Sequence, residues 1–313
     1  MIKIRIAEEK DFDIKVLNFL KQYAEVEIAS CSVADLPHIL NSYDVFWFRL
    51  GYKIDQALIA NCKRVKVIAT PVTGINHIDE LACNKKGIQI ACLRGEYQFL
   101  KEVRATAEHT MALTFALMRL IGPAINDTIQ GKWSRDEFRG NELYQKKVGI
   151  VGLGRLGEIT ASYFKAFGCE VYYYDIRDVN SEFAQKVFSL KEIADCDIVS
   201  IHVDYTPVTH HLINEDFFRQ CNPRMCFINT SRGGVVNEKA LLNSLSKNKI
   251  KGAALDVVEN EFEFNSQNEL VKFAAANSNL ILTPHIGGNT YESFEKTEMF
   301  IAKKVLHMFN IAN

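Results

Sequence analysis

The sequence has almost no net charge. Its 37 lysines and arginines stand against 38 aspartates and glutamates, a formal charge of -1. That balance leaves no electrostatic footprint for nucleic acid or for an anionic membrane surface. No apolar run is long enough to span a bilayer. The opening Met1-Ile2-Lys3-Ile4-Arg5-Ile6 alternates apolar and charged residues, which suits a strand and not a secretory leader. The eight cysteines form no CxxC pair, and Cys92 and Cys226 sit inside apolar runs. They read as buried free thiols in a reducing cytosol, without metal or disulfide roles. No repeat, low-complexity tract or block of like charge interrupts the chain. The expectation is a cytoplasmic globular protein. With 313 residues, 48% of them hydrophobic and 24% charged, two domains are expected.

What the chain does have is alternation. Strands are expected at residues 3–6, 26–29, 45–49, 65–69 and 88–92, with helical stretches between them such as 11–23 and 75–86. A long helix at about 102–121 should end at Gly122-Pro123, with a second one at about 124–132. Residues 134–145 read as a linker or arm. A second alternating series then places strands at 148–151, 170–174, 197–202, 225–229, 252–256 and 280–283, and a last helix at 291–311. Strands joined by crossover helices imply parallel sheets covered on both faces, so the fold class is α/β with two doubly wound units.

The second series opens on Lys147-Val148-Gly149-Ile150-Val151-Gly152-Leu153-Gly154-Arg155-Leu156-Gly157. An apolar strand runs into Gly-x-Gly-x-x-Gly, and helix-forming residues follow. Gly152 permits the tight turn, Gly154 a close approach of backbone to a pyrophosphate, and Gly157 close helix–strand packing. The helix N-terminus then aims N–H groups at phosphate. Asp175 ends the next strand 18 positions after Gly157, near the spacing at which a carboxylate meets a ribose 2′-OH. The pattern predicts a dinucleotide site, the plainer reading being an ordinary strand-to-helix turn with glycines at tight contacts. In such a site Asp175 favours NAD over NADP because it repels a 2′-phosphate.

Ligands of such sheets gather beyond the carboxyl ends of the strands. There the chain carries His202 and Val203, then Thr230-Ser231-Arg232, then Asp256 with Glu261, then His285 with Gly287. Oxidising an alcohol at a nicotinamide needs a base, and histidine serves near neutral pH. A carboxylate beside it favours the imidazolium and fixes its tautomer. A guanidinium grips a carboxylate or polarises a carbonyl. Each residue also has a structural reading. His285 could cap a strand end, Arg232 could pair with a surface acid, and Glu261 could be solvated within the acidic run 259–263. His38, His77, His210, His211 and His307 read as surface or packing residues. His202 reads as lining the cofactor.

These blocks resemble the D-isomer-specific 2-hydroxyacid dehydrogenase family, and within it the D-3-phosphoglycerate dehydrogenase branch. The glycine loop, Asn229-Thr230-Ser231-Arg232-Gly233-Gly234, Leu255-Asp256-Val257 and Thr283-Pro284-His285-Ile286-Gly287-Gly288 occur in the family order. The resemblance implies a Rossmann NAD-binding domain at 105–286 and a flavodoxin-like substrate domain from 1–104 plus 287–313. It implies His285 as acid/base, Glu261 orienting it, and Arg232 holding the substrate. Gly152, Gly154, Arg155, Leu156, Gly157, Asp175, His202, Val203, Thr230, Ser231, Asp256 and Gly287 are implied to meet NAD. Arg49, Thr73 and Gly74 are implied to meet a small anionic 2-hydroxyacid or 2-oxoacid, 3-phosphoglycerate among them. The implied assembly is a homodimer. An NAD-binding corepressor of the same fold is the alternative.

The chain departs from the family pattern in three ways. Phe262 stands where a proline often follows the glutamate, and Gly51 where phosphoglycerate enzymes tend to carry a second arginine. The chain also stops near Asn313, without room for an appended regulatory domain. The segment from Arg94 to Arg104, with Tyr97 and Lys101, is either part of the active-site wall or a solvated loop.

Overall fold

The computed structural model describes residues 1–8 and 10–311. The chain divides into two compact units, Met1–Val103 with Thr290–Asn313, and Arg104–Asn289. Residues 287–289 therefore belong with the second unit, and Arg104 begins it. Among the described residues, no helix is long and apolar enough to cross a membrane.

The first unit has five parallel strands: β1 (Ile2–Ile6), β2 (Ala24–Ile28), β3 (Val45–Trp47), β4 (Val67–Ala69) and β5 (Gln89–Ala91), in the order β2-β1-β3-β4-β5. That is the flavodoxin-like winding. Strand alternation feeds two cores. Phe46 and Phe48 pack with Leu36, Leu40 and Ile68 on one face. Val45 and Trp47 pack on the other with Val16 and Leu20, and with Ile301, Val305 and Leu306 of the C-terminal helix Tyr291–Met308.

The second unit has β6 (Lys147–Val151), β7 (Glu170–Tyr174), β8 (Gln185–Lys186), β9 (Ile198–Ile201), β10 (Cys226–Asn229), β11 (Gly252–Leu255) and β12 (Leu280–Leu282). All are parallel, in the order β12-β11-β10-β9-β6-β7-β8. Winding outward in both directions from β6 is the Rossmann arrangement, and the switch of direction falls between β6 and β9. The sheet has one strand more than the sequence suggests. β8 is two polar residues at an edge, with no apolar signal to announce it.

Helix ends differ from expectation for local reasons. Asp79 accepts a hydrogen bond from Ala82 N–H and starts the helix at Glu80–Lys85, so the turn 75–78 stays outside it. Asp13 does the same for Ile14–Leu20. The long helix is Ala105–Met118. It stops because Leu120 adopts φ +54°, ahead of Gly122-Pro123. Pro123 instead falls in the first turn of the helix Ile121–Ile129, where a missing N–H costs nothing. The expected linker holds one 3-10 turn, Arg135–Phe138.

Candidate active site

The glycine loop sits at the switch point, between the end of β6 and the helix Arg155–Ala166. Gly152 adopts φ +91°, and a Cβ there would lie 2.7 Å from Val203 Cγ1 and 2.9 Å from the His202 carbonyl carbon. A Cβ on Gly157 would lie 2.2 Å from the Gly152 oxygen. Both positions need a missing side chain. Gly154 differs: nothing but Arg177 Nη2, at 3.9 Å, comes near its Cβ position. Its face is open, and the first turn of the helix beyond it has no side-chain cap. These features fit a dinucleotide phosphate.

Asp175 closes the other side of the loop. It accepts from Leu153 N–H at 2.8 Å, and from Arg177 backbone N–H, Nε and Nη2 at 2.9, 3.1 and 2.9 Å. Burial pushes its carboxyl up, but the Arg177 and backbone donors outweigh that and hold it below the usual carboxylate range. His202 follows β9. Its Nε2 meets Ser200 Oγ at 2.8 Å, while its buried Nδ1 has no hydrogen-bond partner among the described residues. Burial pushes this imidazole down to about 3, so it is neutral and keeps an orphaned nitrogen. Such an atom is accounted for by a ligand group.

The three residues expected to carry chemistry all lie in this unit. His285 Nδ1 meets Glu261 Oε2 at 2.7 Å. His285 adopts φ +55°, held by bonds from its own N–H to the oxygens of Asp256 and Thr283. Glu261 Oε1 accepts from Val258 N–H at 3.4 Å. Arg232 is half-buried; desolvation lowers its guanidinium's pKa, while the charges of Glu261 and Asp204 work against that shift. So Glu261 contacts the imidazole and acts electrostatically on the guanidinium. Asn229 sets the arginine's loop, accepting from Ser231 N–H and Oγ and donating to the Arg232 carbonyl. Thr230 Oγ1 meets Thr110 Oγ1 at 2.9 Å.

Asp256 holds the loop that bears His285. It accepts from Thr283 Oγ1 at 2.6 Å, Ile286 N–H at 2.9 Å and Gly287 N–H at 2.8 Å, with His109 Nε2 at 3.2 Å. Burial raises its carboxyl, and these donors bring it below the ordinary range. His109 is a residue that the sequence reading did not single out. It lies inside a regular helix, and its partner Thr283 is 174 positions away. His211, read as a surface or packing residue, meets Glu259 Oε1 at 2.6 Å.

The remaining candidates belong to the first unit. Thr73 and Gly74 lie in the loop past the end of β4, with Thr73 exposed. Arg49 follows β3. Its guanidinium contacts Glu8, the Asp11 carbonyl and Glu298, and stacks 3.8 Å over the Phe294 ring. Two carboxylates thus neutralise it within its own unit. Arg94 is likewise engaged, with Nη1 at 2.9 Å from both Glu80 oxygens, and Tyr97 is exposed. For Arg94 this is the geometry of a solvated surface pair.

Comparison with known proteins bears on this geometry. Residues 111–287 match the family described as D-isomer specific 2-hydroxyacid dehydrogenase, NAD binding domain. The chain is 31% identical over 311 residues to a D-3-phosphoglycerate dehydrogenase of Synechocystis sp., covering 97% of this chain and 54% of that protein. It is 34% identical over 268 residues to a glyoxylate reductase of Thermococcus litoralis, covering 81% of this chain and 77% of the relative. The chain therefore spans only about half the length of the phosphoglycerate enzyme. Among solved structures it resembles a D-lactate dehydrogenase from Aquifex aeolicus complexed with NAD and lactic acid. The TM-score is 0.85 at 27% identity, covering 99% and 96% of the two chains. The matched span holds the glycine loop, Arg232, Glu261 and His285 in one unit, and the chain belongs to the D-isomer-specific 2-hydroxyacid dehydrogenase family.

Proposed function

We propose that the chain catalyses hydride transfer between NAD and C2 of a small anionic 2-hydroxyacid or 2-oxoacid. The observation that carries this is the 2.7 Å contact between His285 Nδ1 and Glu261 Oε2. A carboxylate on Nδ1 keeps the proton there and leaves Nε2 as the atom that exchanges one with substrate. In oxidation Nε2 takes the hydroxyl proton; in reduction it returns a proton to the carbonyl oxygen. NAD, when bound, supplies the hydride acceptor or donor. Arg232, half-buried and with Nη1 donating to the Ser231 carbonyl at 2.7 Å, offers its remaining N–H donors to the carboxylate or carbonyl.

The test is NADH oxidation across glyoxylate, hydroxypyruvate, pyruvate and 3-phosphohydroxypyruvate. Turnover is expected on at least one. His285→Ala should then lower kcat by at least roughly 10²-fold and leave NADH binding nearly unchanged. A protein that only binds NADH would give negligible rates with every oxoacid, and an unaltered rate in the histidine variant would rule out its assigned role.

The proposed assembly is a homodimer. The helix Ile121–Ile129 presents Ile121, Ile125 and Ile129 at four-residue spacing with 41%, 52% and 78% exposure, and Trp133 beyond it is 86% exposed. An apolar stripe of this kind on a surface helix marks an interface. Sedimentation should find a dimer for the wild type and a monomer for Ile125→Asp with Ile129→Asp. A monomeric wild type would overturn the assembly.

A further inference from the structure

The loop that carries Glu261 is gripped from three sides by residues outside the trio. Gly233 lies directly beneath it. A Cβ there would fall 1.9 Å from the Val258 carbonyl carbon and 2.4 Å from Glu259 N. Glu238, the first residue of the helix Glu238–Ser246, accepts a hydrogen bond from Glu259 N–H at 2.6 Å. His211 Nε2 meets Glu259 Oε1 at 2.6 Å. The chain then turns at Asn260, φ +52°, and enters the short 3-10 turn that begins with Glu261.

The tautomer of His211 follows from its other neighbour. Asn237 caps the helix with its side-chain oxygen, which accepts from Ala240 N–H at 2.9 Å. Its amide nitrogen is therefore the end that faces His211 Nδ1, at 3.4 Å. An amide N–H can only donate, so Nδ1 accepts and the ring proton sits on Nε2. That nitrogen then donates to Glu259 without needing a charged imidazole.

We propose that His211 and Glu238 are positioning residues for the Glu261–His285 pair, the first holding the side chain of Glu259 and the second its backbone. The inference rests on His285 as the acid/base. A hydrogen-bonded residue two positions before Glu261 sets where that carboxylate stands, and with it the direction of the imidazole. Misplacement of about 1 Å in such a pair costs up to roughly 10²-fold in rate.

The experiment uses the full chain, NADH and the 2-oxoacid of the panel that turns over fastest. His211→Ala should lower kcat by roughly 10-fold to 10²-fold, with KM and the Kd for NADH held within about twofold. His211→Gln keeps an N–H donor of similar reach and should recover the larger part of the loss. In a Glu261→Gln background, His211→Ala should cost almost nothing more, because its effect passes through Glu261. A wild-type rate for His211→Ala overturns the proposal, and so does an equal loss in both backgrounds. If His211→Gln fails to rescue and both variants lower the thermal midpoint together, the residue is only structural and the proposal falls. His285→Ala is measured alongside. If it keeps its rate, the acid/base reading has failed; if it loses its rate while His211→Ala does not, the positioning inference alone has failed.

Discussion

At the scale of single residues, two loops of the candidate site each carry a left-handed residue. His285 and Asn260 both adopt the left-handed backbone region, at φ +55° and +52°. That costs of the order of 1–3 kcal/mol for a residue other than glycine unless neighbours fix it. Here Asp256 fixes one and Glu238 with His211 the other. Glu238 itself is uncomfortable. Burial pushes its carboxyl up to about 7; Glu259 N–H opposes this, and the charges of Glu259 and Glu261 add to it. A carboxyl whose pKa is higher in the folded than in the unfolded chain favours the fold fully below the unfolded value. That contribution is lost as pH rises through the folded value. Glu238→Gln keeps the acceptor for Glu259 N–H and does not titrate. It should match the wild type in urea denaturation near pH 4.5 and exceed it at pH 8, by about 3 kcal/mol at most. A difference that does not change with pH would contradict this.

The same residues mark what the sequence could and could not disclose. Gly152 and Gly157 were legible because only glycine fits there, the first for its left-handed backbone and the second for want of space beside the Gly152 oxygen, so the requirement is written in the residue type itself. Arg232, Glu261 and His285 were legible because strand ends locate them. His211 and Glu238 were not: their partner Glu259 lies 48 and 21 positions away. Nothing local in the chain states that contact.

At the scale of elements, caps decide more than periodicity does. Asp79 and Asp13 set helix starts that apolar spacing alone runs past. The C-terminal helix Tyr291–Met308 shows how an element is tied in. Its Glu298 is fully buried, pairs with Arg49 and accepts from Asp13 N–H at 2.9 Å. Burial raises that carboxyl, and the Arg49 contact restrains the rise. Removing one partner of a buried pair leaves the other charge uncompensated, which typically costs about 3–5 kcal/mol. Arg49→Ala should lose stability on that scale by chemical denaturation, and Arg49→Met with Glu298→Leu should recover most of it. An Arg49→Ala protein of wild-type stability would remove the arginine from this structural role.

At the scale of the whole molecule, two parallel sheets were foreseeable from alternating strand and helix patterns, whereas their different windings were implied only by the family resemblance. The edge strand β8 was not, because two polar residues carry no period. One feature of the interior runs through both units. All eight cysteines are unpaired thiols, and six are buried. Cys62, Cys83 and Cys92 lie in the first unit, and Cys169, Cys196 and Cys226 in the second. Burial pushes Cys83 and Cys169 up to about 11 and Cys196 up to about 12. The thiolate is the reactive form, so these sulfurs stay silent toward alkylating reagents while folded. The chain thereby carries an intrinsic clock for its own opening. Pulsed alkylation read by mass spectrometry should label each trio only when its unit unfolds. NADH should slow the clock of Cys169, Cys196 and Cys226 more than that of the other three, and equal slowing in both trios would mean that the two units open as one.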